Sequence, residues 1–250
     1  MLPNELPRDL EVALKQLRLG RLIPLLPERL RQARERKMDP SDALLMILTD
    51  EVQRRKQQRM ANRIAKANLD PTKVFDEWSA TANVAYNSRL LDQLRTLQFV
   101  NDKQHVLLMG PVGVGKTMLA QSLANLAVLR GMRVEYFGAE ELLKTLKACR
   151  LDDSHTAEMR RLISLDLIVI DDLALRSFDV METSDLYELI TKRHRKGSLM
   201  ITSNRTPDEW LPMLTDPMLA QALVDRFVNN AWELVIEGES YRRHQKPQLS

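Results

Sequence analysis

The chain contains one cysteine, Cys149, in 250 residues, so no intramolecular disulfide can form and a disulfide-stapled secreted scaffold is excluded. No apolar run approaches the roughly 20 residues that cross a bilayer. Residues 1–20 lack the apolar core of roughly 7–15 residues that marks a signal peptide. A cytoplasmic protein with no membrane association is therefore expected. Internal repeats and low-complexity tracts are missing as well. So is a large net charge: the formal value is only +3. That small value conceals an asymmetry, with 15 lysines and arginines against 10 acids in residues 1–72 and 22 against 24 in the rest. The basic character belongs to the N-terminal third, where it reads either as a solvated helical surface or as a contact for a polyanion.

What is present is enough apolar residue, 44% of the chain, to bury a core for one ordinary domain and a smaller appendage. From Asp9 to about Asn68 the pattern is helical, broken at Gly20, Pro24, Pro27 and Met38–Asp42. Ser41 is a predicted N-cap, and Leu45, Leu48 and Val52 recur behind it at helical spacing as a core-facing stripe. From Gln104 onward the short apolar runs HVLLM, RVEYF, LDLIVI, SLMITS and WELVI alternate with amphipathic helical stretches. That alternation predicts an α/β fold, a parallel sheet covered by helices on both faces. The proline-interrupted stretch beginning at Asp70 separates a helical domain, residues 1–69, from the α/β domain, residues 70–250.

Between the run HVLLM and the next helical stretch lies Gly110-Pro111-Val112-Gly113-Val114-Gly115-Lys116-Thr117-Met118, which fits GxxxxGK[ST] in a strand–loop–helix context. Such a loop turns backbone N–H groups onto the phosphates of ATP. Lys116 is expected on the β- and γ-phosphates and the Thr117 hydroxyl on Mg²⁺. The run Leu167–Ile170 delivers Asp171 to the C-terminal edge of a buried strand, where ligands sit in open α/β sheets, so Asp171 is the expected second Mg²⁺ partner, partly through water. Asp172 follows as a general base or water-orienting group, or as the N-cap of the next helix. The run SLMITSN ends in Asn204, whose amide can hold a lytic water by donating and accepting at once, or can simply serve a turn.

A basic row is the other notable feature. Within Arg54, Arg55, Lys56, Arg59, Arg63 and Lys66, the residues Arg55, Arg59, Arg63 and Lys66 share one helical face and continue the row begun by Leu45, Leu48 and Val52. Regularly spaced duplex phosphates are a fitting partner, and a solvated face is the other reading. Aromatic residues are scarce there, which favours backbone contact over base stacking.

Taken together, the GK[ST] loop, IDDL, TSNR, Trp210, DP at 216–217, DRF at 225–227, GESYR at 238–242 and LRLGRL near the N-terminus resemble the IstB-like helper ATPases of insertion-sequence transposition. These are AAA+ relatives of the DnaC-type helicase loaders. The resemblance implies a five-stranded parallel sheet of order 5-1-4-3-2 with little or no C-terminal lid. It also implies ATP hydrolysis at subunit boundaries of a homo-oligomer and a transposase as partner, and the basic row adds duplex DNA as the expected ligand. By motif, Arg226 would be an arginine finger acting in trans and Arg242 a second sensor on the subunit's own phosphates. A replicative-helicase loader is the alternative activity. A small-molecule P-loop kinase fits the phosphate cradle but gives no role to Arg226 or the basic helix.

Overall fold

A computed structural model describes residues 6–75, 78 and 84–240. The chain divides into two compact units, Met1–Asn62 and Arg63–Ser250.

In the first unit, helix α1 (Arg8–Gln16), a 3-10 turn (Gly20–Leu22), helix α2 (Leu26–Glu35) and most of helix α3 (Pro40–Lys66) surround a small core of Leu22, Leu26 and Ile47. Pro27 sits in the first turn of α2, where its missing N–H costs nothing. The cap of α3 differs from expectation. Asp39, not Ser41, supplies it: the Asp39 carboxylate accepts the Ser41 N–H at 2.8 Å and its carbonyl accepts the Ala43 N–H at 3.0 Å, leaving Pro40 as the first helical residue.

The stripe of Leu45, Leu48 and Val52 also differs. These side chains are 64%, 40% and 49% exposed, and the packed face of α3 carries Ile47 and Glu51 instead. Glu51 can be buried because two guanidiniums neutralise it. Arg54 Nε donates to it at 2.8 Å and Arg55 Nε at 2.7 Å, and Arg55 also donates to the Arg18 carbonyl at 2.8 Å.

The second unit begins before the boundary expected at residue 70. Ile64, Ala67 and Leu69 already pack into its core, so the final turn of α3 belongs to it. Its elements in chain order are β1 (Val84–Tyr86), α4 (Ser88–Arg95), α5 (Gln98–Asn101), β2 (His105–Met109), α6 (Lys116–Leu129) and β3 (Val134–Gly138). These are followed by α7 (Ala139–Leu151), α8 (His155–Ile163), β4 (Leu167–Leu173), α9 (Val180–Arg193), β5 (Ser198–Ser203), α10 (Pro207–Trp210), α11 (Pro217–Val228) and β6 (Ala231–Gly238).

The sheet order is β1-β6-β2-β5-β4-β3. Strands β2 to β6 are parallel and, numbered from β2, follow the order 5-1-4-3-2. The sheet has six strands rather than five, because β1 pairs antiparallel with β6, with Tyr86 opposite Ile236. Successive residues of the central strands face opposite cores. Leu107, Ile168, Ile170 and Ile201 pack under α7, α8, α9 and α11, whereas Val106, Leu108, Val169 and Met200 pack under α6 and α4. Burial on both faces explains why these strands read as continuous apolar runs. Among the described residues no helix is long and apolar enough to cross a membrane.

Candidate nucleotide site

The fully buried strand β2 ends at Met109, and the chain then turns through Gly110–Gly115 into the N-terminus of α6. Glycine is required by geometry at both ends of this loop. Gly110 has φ +149°, and a methyl group there would run into the Ile236 carbonyl oxygen of β6. Gly115 has φ +93°, and a methyl group there would lie 2.7 Å from Nε1 of the buried Trp78, whose ring also meets Tyr86 at 5.0 Å between centroids. The loop is thus pressed between β6 and Trp78, which fixes the direction of the first N–H groups of α6. Those groups and the positive end of the helix dipole suit an anion. Val114 anchors the loop in the core, and Val112 is exposed at its tip.

Lys116 is 5% exposed. Its ammonium donates to the carbonyls of Gly110 and Pro111 at 2.8 Å each, and to the Asn204 side-chain oxygen. Asn204, from the loop after β5, therefore joins the phosphate loop directly, which goes beyond an ordinary turn role.

Asp171 is 5% exposed near the C-terminal end of β4 and is held by three hydroxyls. Thr117 Oγ1 lies 3.1 Å and Thr202 Oγ1 2.5 Å from Oδ1, and the Tyr136 hydroxyl donates to Oδ2 at 2.6 Å. Burial, then the bond to Asp171 and its charge, push the Tyr136 phenol above its ordinary pKa, so it stays a donor. Thr202 also accepts the backbone N–H of Asp172 at 2.8 Å. The β4–β5 register shifts between Ile170 and Leu173. Asp172 there adopts φ +57°, and its side chain is exposed while Asp171 stays inside. The next helix, α9, is capped by Asp179 in a capping box with Glu182, so Asp172 caps no helix. A cavity of about 220 Å³ opens beside the two aspartates, lined also by Gly138, Glu140, Leu143 and Arg176. The hydroxyl of Thr117 beside the carboxylate of Asp171 is an all-oxygen donor pair, the chemistry a hard cation such as Mg²⁺ takes.

The other expected residues lie apart from this cluster. Arg226 docks on its own chain, donating to Thr191 Oγ1 at 2.6 Å and to the Tyr187 hydroxyl at 3.2 Å, with its guanidinium 5.4 Å from the centroid of the Tyr187 ring. Both hydrogen-bond partners are neutral hydroxyls. Arg242 lies outside the described residues. In the basic row, Arg54 and Arg55 are committed to Glu51, while Lys56, Arg59, Arg63 and Lys66 are exposed.

Sequence reasoning missed Tyr136 and the role of Thr202. Tyr136 stands opposite Val169 on the neighbouring strand, a relation that only the sheet register reveals. Thr202 carried a faint signal, as the hydroxyl that opens the TSN run at the end of the strand.

Over residues 12–249 the sequence matches the family described as IstB-like ATP binding protein. It is 32% identical over 236 residues to an insertion-sequence ATP-binding protein of Mycobacterium tuberculosis, covering 94% of each chain. It is 30% identical over 238 residues to the insertion sequence IS21 ATP-binding protein of Pseudomonas aeruginosa, covering 95% of this chain and 90% of that one. The crystal structure of the DnaC helicase loader superposes with a TM-score of 0.51 at 21% identity, covering 59% of this chain and 88% of the loader. AMPPCP-bound DnaA from Aquifex aeolicus gives 0.57 at 22%, covering 70% and 53%. At those identities the two structures speak for the AAA+ fold alone. With that fold, a glycine loop and an aspartate strand meeting at one sheet edge, and a family match across nearly its whole length, the chain belongs to the IstB-like ATP-binding proteins.

Proposed function

We propose that this protein is an ATP-hydrolysing helper of insertion-sequence transposition, working in the cytoplasm, that assembles with ATP on duplex DNA and acts with a partner transposase. The observation that carries the reading is the convergence of Lys116, Thr117, Asp171 and Asn204 at the C-terminal edge of the sheet, within a family of ATP-binding proteins.

In this reading the N–H groups of residues 110–118 hold the triphosphate, and Lys116 exchanges its carbonyl partners for β- and γ-phosphate oxygens. Thr117 and Asp171 would hold Mg²⁺, Asp171 partly through water, and the ion would offset charge on the phosphates. Asp172 accepts a proton from, or orients, the attacking water, and Asn204 fixes that water from the other side. ATP is cleaved to ADP and phosphate. Arg226 leaves its dock on Tyr187 and Thr191 to reach a neighbouring subunit's γ-phosphate, and Arg242 contacts the subunit's own phosphates. The names of the insertion-sequence relatives support the transposition setting.

Because Arg54 and Arg55 are tied to Glu51, the duplex contacts fall to Lys56, Arg59, Arg63 and Lys66. The test is a salt titration of duplex binding, run alongside ATPase assays with and without duplex DNA. Replacing Arg59, Arg63 and Lys66 with glutamine keeps helix propensity, and at roughly 0.9 per phosphate contact it should flatten the slope of log affinity against log salt by about 2 to 3. An unchanged slope, together with loss of binding to a replicative helicase, would favour the loader reading instead.

A further inference from the structure

We propose that Tyr136 is a positioning residue for the metal-binding carboxylate, orienting Asp171 and linking it to the segment by which the chain enters the ATPase unit. This rests on the reading of Asp171 as the Mg²⁺-side aspartate.

Three observations carry it. First, the Tyr136 hydroxyl donates to Asp171 Oδ2 at 2.6 Å, while both threonine hydroxyls lie on Oδ1. A carboxylate can rotate about its Cβ–Cγ bond, and bonds to one oxygen alone leave that rotation weakly restrained. A donor on the second oxygen fixes the plane. Tyr136 therefore sets which oxygen faces Thr117 and the phosphate loop.

Second, Tyr136 is held from both sides along its backbone. Its N–H donates to the Ala67 carbonyl at 2.8 Å, and its carbonyl accepts from the Asn68 side chain at 3.4 Å. Third, side chains of α6 hold the same segment in place. The Asp70 N–H donates to Gln121 Oε1 at 3.3 Å. Residues 67–73 are otherwise fastened to α6 by Asn125, which donates to the carbonyls of Asp70 at 2.7 Å and Lys73 at 3.0 Å. The stretch that follows α3 is thus bonded to the helix that begins at Lys116 and to the tyrosine that holds Asp171. A displacement of residues 67–73 is transmitted to the carboxylate through hydrogen bonds, without passing through the phosphate loop.

The test compares wild type, Tyr136→Phe and Asp171→Asn as full-length protein. Phenylalanine preserves the ring and its packing. Two quantities are read: affinity for a fluorescent ATP analogue in EDTA, and the Mg²⁺ concentration that half-saturates the metal-dependent gain in that affinity. Tyr136→Phe should keep the metal-free affinity within about twofold and raise the Mg²⁺ half-saturation roughly 10-fold, the lower end of the effect of losing an outer-shell partner. In steady-state kinetics kcat should fall with KM for ATP nearly unchanged. If Asp171→Asn shifts the half-saturation while Tyr136→Phe leaves it within twofold of wild type, the positioning role is refuted. If neither variant shifts it, the Asp171 reading itself fails and the proposal falls with it.

Discussion

Gly115 offers a test in which the magnitude follows from two separable features of the structure. Alanine at this position must hold φ near +93°, which costs an L-residue roughly 1–2 kcal/mol. Its methyl group must also clear Trp78 Nε1, which stands 2.7 Å away where ordinary contact begins near 3.4 Å, so the ring or the loop has to yield by about 0.7 Å. Overpacking of a well-filled core costs roughly 1–3 kcal/mol. Gly115→Ala should therefore destabilise by about 3 kcal/mol, lowering the main thermal transition by roughly 6–12 °C for a domain of this size. The two terms separate in a double-mutant cycle with Trp78→Phe, because the smaller ring relieves the steric term and leaves the dihedral term intact. Urea melts followed by far-ultraviolet circular dichroism should show the double variant less destabilised than the sum of the singles by about 1–2 kcal/mol. Both variants carrying alanine should lose nucleotide affinity, since the start of α6 is displaced. A coupling energy of zero, or a Gly115→Ala protein as stable as wild type, would show that Trp78 does not brace the loop.

Arg226→Ala should bind ATP normally but hydrolyse it roughly 10- to 1,000-fold more slowly, below the full worth of the best-studied fingers. Adding Lys116→Ala subunits, which retain the finger, should restore hydrolysis, and failure of that rescue in assembled mixtures would remove the trans role. In the first unit, the Arg54 and Arg55 guanidiniums hold the Glu51 carboxyl down at about 2, against an ordinary value of 4.5. The folded pKa is the lower one, so its contribution is complete above about pH 4.5 and is lost as pH falls from there toward 2. Glu51→Gln should flatten that acid limb of the stability profile, and an unchanged limb would contradict the buried-carboxylate reading.

The parts of the molecule legible in the sequence are those fixed by local chemistry. The phosphate loop is contiguous, and strands buried on both faces announce themselves as apolar runs, so β2 to β6 and residues 110–118 could be located directly. The three residues of β1 are too few to show a period, and their pairing with β6 is set by tertiary contact. Helical spacing shows that Leu45, Leu48 and Val52 share a face, but not that this face is exposed. The packed face is instead the adjacent one carrying Ile47 and Glu51, and Arg54 and Arg55 neutralise Glu51 there. Tyr136 and Asp171 are 35 residues apart and meet only because β3 lies beside β4.

The most direct test of the central claim is single-turnover hydrolysis of labelled ATP, with bound nucleotide measured in parallel, for wild type, Lys116→Ala and Asp171→Asn. Wild type should release phosphate in the presence of Mg²⁺. Lys116→Ala should fail to retain nucleotide, because a phosphate contact is gone. Asp171→Asn should still bind but cleave at least roughly 100-fold more slowly, because the carboxylate that Thr117, Thr202 and Tyr136 orient is no longer charged. Cleavage by Asp171→Asn at the wild-type rate would contradict the assignment of this sheet edge as the site of ATP hydrolysis.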